Sequence, residues 1–189
     1  MRIVYTLLSI IILLAILLSS FELTLLLFHS PFGSDIIYPK AHSLTWIYLL
    51  KQQYITLIDL DIFDINEKRH LLDVKRVFEQ IYFIWKIISI VSLSIFILFY
   101  RKLSIIIRQT FIIGIIINIL LIIISFNFLD SFSFLHQMIF PHNSWIFQPS
   151  SILIIWFPLS YFIEFFLIFI LFNLIAISTL RYYSTSLSK

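Results

Sequence analysis

The fold class predicted by the sequence is an all-α membrane protein, with four transmembrane helices and a small extracytoplasmic cap that has room for short strands. Three observations predict it. The 189-residue chain is 61% hydrophobic and 12% charged, with a mean hydropathy of +1.04. A soluble domain carries about 25% charged residues, so this chain lacks the polar surface to face water, and lipid must be its solvent. Four apolar stretches, at about 3–28, 81–100, 103–126 and 158–180, meet the roughly 20-residue length of a crossing. The charges flanking these stretches are sorted by side.

Taking the stretches in order, Arg2 precedes the first. Its apolar run far exceeds the roughly 7–15 residues of a signal-peptide core, and no A-x-A site follows, so a retained anchor is expected. The second and third are divided by Arg101-Lys102, and Pro158 opens the fourth at a position where its missing N–H costs nothing. All four are apolar all round. In hydrocarbon every backbone N–H and C=O must be paired internally, so these are helices; the alternation of a barrel strand is absent. Glycine is confined to Gly33 and Gly114, which predicts bulky Phe and Ile contacts with gaps for acyl chains. There is no cysteine, hence no disulfide, thiol nucleophile or thiolate metal site.

With the N-terminus in the cytoplasm, the cytoplasmic charges are Arg2, Arg101, Lys102, Arg108, Arg181 and Lys189, with no acidic residue among them. This is the positive-inside pattern. It predicts a single integral membrane domain over 1–189 with both termini cytoplasmic. Segments 29–80 and 127–157 then lie outside and hold all five histidines. The net charge of +3 is a topology signal, and the basic residues are too few and scattered for nucleic acid.

The first outer segment begins with the turn Ser30-Pro31-Phe32-Gly33-Ser34. Residues 45–60 suit a strand, an interfacial helix or a hairpin. Asp59, Asp61 and Asp64 read as a solvated loop, because a Ca²⁺ loop needs a Gly and a closing Glu that are missing. From residue 65 the pattern turns helical, capped by Asp64 or Asn66, and runs toward the second crossing. Glu67, His70 and Asp73 fall at i, i+3 and i+6, on one side of that helix. Lys68, Arg69, Lys75 and Arg76 take other faces and suit anionic headgroups. The bland reading of this island is an amphipathic interfacial helix with an incidental histidine.

The second outer segment carries His136 and His142, then Asn143-Ser144-Trp145. Trp145, Phe147 and Trp156 suit an aromatic belt at headgroup level. Glu164, one to two turns into the fourth helix, needs a polar partner or must snorkel to the surface. Asn173, deeper, suits an inter-helix hydrogen bond. His29 and His42 have no motif context and read as ordinary loop residues.

The two islands resemble the paired motifs of the bacterial lipoprotein intramolecular transacylases and their wider family of four-helix membrane proteins. The first motif is met by Glu67, His70, Asp73 and Val74. The second is met by Phe134, His136, Phe140, Asn143, Ser144, Trp145 and Phe147, followed by Pro158, Tyr161, Phe162 and Glu164. Leu159 departs from an expected Glu, Glu164 stands for an expected Asp, and Pro141-His142 replaces a Phe- or Gly-containing step.

The resemblance implies an enzyme of the bacterial plasma membrane. It moves one acyl chain of a diacylglyceryl lipoprotein from the glycerol ester to the N-terminal cysteine amine, leaving a lyso-form lipoprotein. It implies His70 and His136 as the catalytic pair, and Glu67 or Asp73 as their orienting partner. Asn143, Ser144 or Trp145 would hold the ester or oxyanion, with Glu164 in support. No cofactor and no metal are expected, since donor and acceptor sit on one molecule; the partners are that lipoprotein and membrane lipid. The chemistry suits these residues, because a histidine of pKa near 6.5 can take the amine proton and return one to the leaving oxygen. An acyl-imidazole route through one histidine stays open beside it.

Three other classes stand against this reading. A metal-dependent membrane hydrolase would use His70, His136 and His142 with a carboxylate, but HExxH spacing is absent. A serine hydrolase through Ser144 lacks a Gly-x-Ser-x-Gly elbow. A non-enzymatic lipid-binding or membrane assembly protein predicts that replacing the histidines changes nothing. A transporter is disfavoured, since the one acidic residue well inside a late span is Glu164 and no paired repeat is visible.

Overall fold

The structure, a computed structural model, describes residues 2–50, 61–140 and 144–186. Among the described residues seven α-helices follow one another: α1 (Arg2–Leu27), α2 (Pro39–Leu50), α3 (Ile65–Leu98), α4 (Leu103–Ser125), α5 (Phe128–Ile139), α6 (Ile152–Trp156) and α7 (Leu159–Ser186). A single 3₁₀ turn, Tyr100–Lys102, links α3 to α4. There is no strand among the described residues. Four helical segments are long and apolar enough to cross a membrane, falling in α1, α3, the 3₁₀ turn with α4, and α7. The protein is a multi-pass membrane protein.

The described residues group into two compact units. The first comprises the chain up to Leu27, Ile81–Phe126 and everything from Phe166 onward. It is where the crossing helices pack. Ile12, Ile95 and Ile106 form a buried cluster. Ser9 of α1 lies within hydrogen-bond reach of the Ile106 carbonyl at 2.9 Å, and Thr110 of α4 reaches back toward the Ser9 carbonyl at 3.3 Å. Gly114 marks a close approach: a Cβ placed there would lie 3.2 Å from both Ile177 Cδ1 and Leu13 Cδ1. Asn173 differs from expectation. It is fully buried, yet its Nδ2 bonds the Phe169 carbonyl of its own helix at 2.8 Å and its Oδ1 has no partner. The carbonyl one turn back already accepts the helix's own N–H, and its second lone pair lies within reach of the Asn173 amide.

The second unit comprises the described residues of Phe28–Gln80 and Asn127–Phe165. Here one open reading is decided and two expectations change. Residues 45–50 belong to α2, a helix from Pro39, with Pro at the first helical position and Thr45 bonding the Ala41 carbonyl at 2.9 Å. Residues 51–60, with Asp59, lie outside the described residues. Trp156 is no belt residue: it is buried, its Nε1 donates to the Ile37 carbonyl at 2.9 Å, and its ring meets Phe63 and His42. A Trp with a partner for its N–H can fill a core. His42 is no loop residue either. It is buried on α2, and its Nε2 accepts from Trp46 Nε1 at 3.3 Å. Burial lowers its pKa, although its bond to the His29 backbone works the other way and the neighbouring His29 ring lowers it again.

Helix α3 is 34 residues long. At about 1.5 Å per residue it far exceeds the roughly 30 Å of hydrocarbon. Its charged first part, up to Gln80, belongs to the second unit, and the apolar remainder supplies the crossing.

Candidate functional site

The site begins with how α3 starts. Asp64 caps it: Asp64 Oδ1 accepts from the N–H groups of Asn66 and Glu67 at 2.7 and 2.8 Å. Glu67 reciprocates, its Oε2 accepting from the Asp64 N–H at 2.8 Å. This is a capping box. The other oxygen, Oε1, accepts from the Ser151 hydroxyl and from the Leu153 N–H at 3.3 Å. Ser151 is the N-cap residue of α6. One carboxylate, 3% exposed, therefore satisfies orphan donors at the starts of two helices. It is a positioning group, and it fixes the first turn of α3 against the segment before α7.

One turn on, His70 points into an aromatic setting. Its ring meets Phe140 edge-on at 4.8 Å and Phe147 at 5.4 Å. Its Nδ1 is buried and has no hydrogen-bond partner among the described residues. Burial pushes its pKa down to about 4, and the neighbouring His136 adds to that. Asp73 is turned away, paired with Arg76 at 3.5 Å. Lys75 lies over the Tyr48 ring at 4.3 Å. Of the four basic residues expected to meet headgroups, these two are therefore engaged within the protein.

His136 sits in the last turn of α5, a helix that the reading of the sequence does not include. The signal was present: Phe128, Phe132, His136 and Phe140 recur every four residues. The structure turns that spacing into a stack, with Phe132 6.0 Å from Phe128 and 3.8 Å from His136. His136 Nδ1 lies 2.9 Å from the Phe132 carbonyl. A carbonyl only accepts, so this partner assigns the proton to Nδ1 and leaves the lone pair on Nε2. Burial lowers the His136 pKa, and the Phe132 carbonyl offsets part of that.

The rings form a continuous series. Trp145 is 5.1 Å from His136, His136 is 5.4 Å from Phe140, and Phe140 is 4.8 Å from His70. Phe140 thus stands between the two histidines as a shared wall. Ser144 Oγ and Trp145 Nε1 are buried and, like His70 Nδ1, have no hydrogen-bond partner among the described residues. Three buried polar atoms without partners among the described residues thus share one aromatic setting, and each is able to bond a polar substrate atom. His142 and Asn143 lie outside the described residues.

Glu164 joins none of these groups. It accepts a hydrogen bond from the Phe32 N–H at 2.8 Å, tying the loop after α1 to the start of α7. Tyr161 does the same from inside, its hydroxyl donating to the Phe28 carbonyl at 3.1 Å while its ring stacks on Phe28. Among the described residues no three His, Cys, Asp or Glu side chains gather as a metal-ligand set.

A cleft of about 800 Å³ opens beside the ring series, with Ser144 and Phe147 on its wall together with Glu67, Arg69, Asn66 and Gln148. The site thus has a polar cleft on one side and an aromatic pair of histidines on the other.

The comparisons with known proteins bear on this segment. The family profile described as "Lipoprotein intramolecular transacylase Lit" matches residues 39–162, which include both histidines, Glu67 and Trp145. No curated protein matches the sequence. Two solved structures share the fold. The membrane-integral lipoprotein intramolecular transacylase Lit from Bacillus cereus superposes with a TM-score of 0.80 at 20% identity, over 99% of this chain and 96% of the other. A histidine-to-arginine variant of that protein gives 0.73 at 20% identity, over 98% and 93%. Since the profile spans well over half of the sequence, the chain belongs to the Lit family of lipoprotein intramolecular transacylases.

Proposed function

We propose that the protein is a histidine-dependent acyltransferase that works within one lipoprotein molecule. It moves an acyl chain of an S-diacylglyceryl cysteine from the glycerol ester to the cysteine α-amino group. The observation that carries the reading is the pairing of His70 and His136 on either side of Phe140, in the segment matched by the family.

The amine attacks the ester carbonyl as the free base, its pKa being about 8. His136, holding its own proton toward Phe132, has its Nε2 lone pair free to take the amine proton as the N–C bond forms. The C–O bond then breaks and the proton passes to the glycerol oxygen, so the reaction is balanced without any co-reactant. His70 supplies the second nitrogen, and its partnerless Nδ1 suits a polar substrate atom. The Trp145 N–H and Ser144 hydroxyl suit the developing oxyanion. Asn143 is assigned to the same role by the motif alone. Asp73 and Glu164 are assigned outer, supporting positions. A neutral imidazole serves equally as a general base or as a nucleophile, and the test below follows the product common to both routes.

The positive-inside pattern supports cytoplasmic termini and a site on the extracytoplasmic side of the plasma membrane. Its substrate lipids would then come from that leaflet.

The test is mass spectrometry of the N-terminal peptide of a reporter lipoprotein, in a host without other N-acylation. Co-expression of the wild type is expected to yield an N-acyl, S-monoacylglyceryl peptide, and His70→Ala and His136→Ala to leave the diacylglyceryl form. An unchanged peptide from wild-type protein shown to be in the membrane would overturn the activity on that reporter.

A further inference from the structure

The polar cleft has its acids engaged before any ligand arrives. Glu67 is buried, and both of its oxygens accept from protein groups. Asp64 Oδ1 takes two backbone N–H groups. What remains for a ligand is the amides of Asn66 and Gln148, the hydroxyls of Ser144 and Ser150, and the Arg69 guanidinium, set among the apolar side chains of Ile62, Ile146, Phe147 and Ile152. Arg69 has no ion-pair partner among the described residues. These walls offer donors and acceptors together, in a volume of about 800 Å³. That is in the range of ligand sites, about 300–1,000 Å³.

Acyl chains do not suit such walls, because apolar contact would strand those polar groups without partners. A polypeptide main chain suits them, since it presents a donor and an acceptor at nearly every residue. The cleft is also joined to the histidines. Ser144, with its unpartnered Oγ, belongs to its wall, and Phe147 lines it while touching the His70 ring.

We propose that this cleft receives the polypeptide that follows the lipidated cysteine, held in extended form through main-chain hydrogen bonds to Asn66, Gln148 and Ser150. The lipid part of the substrate is thereby presented at the histidines while the protein part leaves through the cleft. This inference rests on the reading of the chain as a lipoprotein transacylase, and it names the part of the substrate that gains affinity through main-chain hydrogen bonds.

Two synthetic substrates test it: diacylglyceryl-cysteine amide, and the same cysteine followed by a short polar peptide. Wild-type protein in detergent micelles is expected to convert the longer one with a kcat/KM about tenfold higher, the worth of two main-chain hydrogen bonds, carried mostly by KM. Ser150→Trp and Gln148→Trp each place a large ring in the cleft and are expected to bring the ratio toward one. A ratio near one in the wild type, or a ratio unchanged in both variants, overturns the proposal. If the wild type converts neither substrate, the transacylase reading fails on its own. The cleft is then judged by binding of fluorescent forms of the two lipopeptides. Tighter binding of the longer form, lost in Ser150→Trp, upholds it; equal binding sinks it.

Discussion

At the scale of single residues, the Glu67 carboxylate accepts from the Asp64 N–H, the Ser151 hydroxyl and the Leu153 N–H, so it is spent on holding two helix starts. In Glu67→Gln a donor replaces one of those oxygens and faces another donor, at a cost of about 1–3 kcal/mol. The expected result is a lower melting temperature and a lower kcat with an unmoved pH–rate profile; a displaced profile would make Glu67 a proton-transfer group instead. The histidines give a second prediction. Burial lowers the pKa values of both imidazoles in the folded protein, that of His70 to about 4, so the folded state takes up protons less readily than the unfolded chain. The unfolded chain binds a proton near pH 6.5. Stability is therefore complete above pH 6.5 and is lost as pH falls toward 4, where the unfolded state binds more protons. Thermal unfolding at stepped pH should show this loss, and His70→Phe should lessen it. The motif histidines could be picked out in the sequence through the paired motifs they share with the family, and the structure sets both rings against Phe140. Their partners could not: the Glu67 contact reaches residues 84 and 86 positions away, while Asp73 turns to Arg76. Which neighbour a carboxylate chooses is decided by tertiary packing.

At the scale of elements, the long helices could be read and the short ones could not. Hydrocarbon demands about 20 apolar residues, and that demand is visible as a run. Helices α2 and α5 are 12 residues each, a length at which packing outweighs local propensity. The aromatic and β-branched content of 45–50 left a strand, an interfacial helix or a hairpin open, and Pro39 with the buried faces of Trp46, Tyr48 and Leu49 makes it a helix. Just before it, Tyr38 adopts a left-handed backbone, with φ 53°, and its carbonyl accepts from the His42 N–H at 3.0 Å. A side chain in that region costs roughly 1–2 kcal/mol. Tyr38→Gly removes the clash but enlarges the unfolded ensemble, and the exposed ring has little packing to lose. The net expectation is a rise in stability of about 0.5 kcal/mol, read as a small increase in melting temperature in detergent. A fall would mean that the Tyr38 ring holds the turn.

At the scale of the whole molecule, the four spans and the family motifs were both legible, because bilayer thickness leaves its mark in the chain and the paired motifs are shared with the family. The close approach at Gly114 was not: scarce glycine predicts bulky contacts, and most are, but this one position carries a tight approach. Gly114→Val should overpack it against Ile177 and Leu13, at a cost of about 1–3 kcal/mol. Unfolding of purified protein in micelles checks this, and a neutral result would show that the Ile177 and Leu13 side chains simply step aside. The clamp on Glu67 has a consequence in time as well. Ser151 lies 84 residues after Glu67, and α4 must be made in between. A growing chain halted before Ser151 already carries His70 and His136 and the capping box of α3, but it lacks the tie from Glu67 to the start of α6. The proposed site is therefore fastened only once the segment around Ser151 has left the ribosome, and the order of synthesis itself delays its assembly.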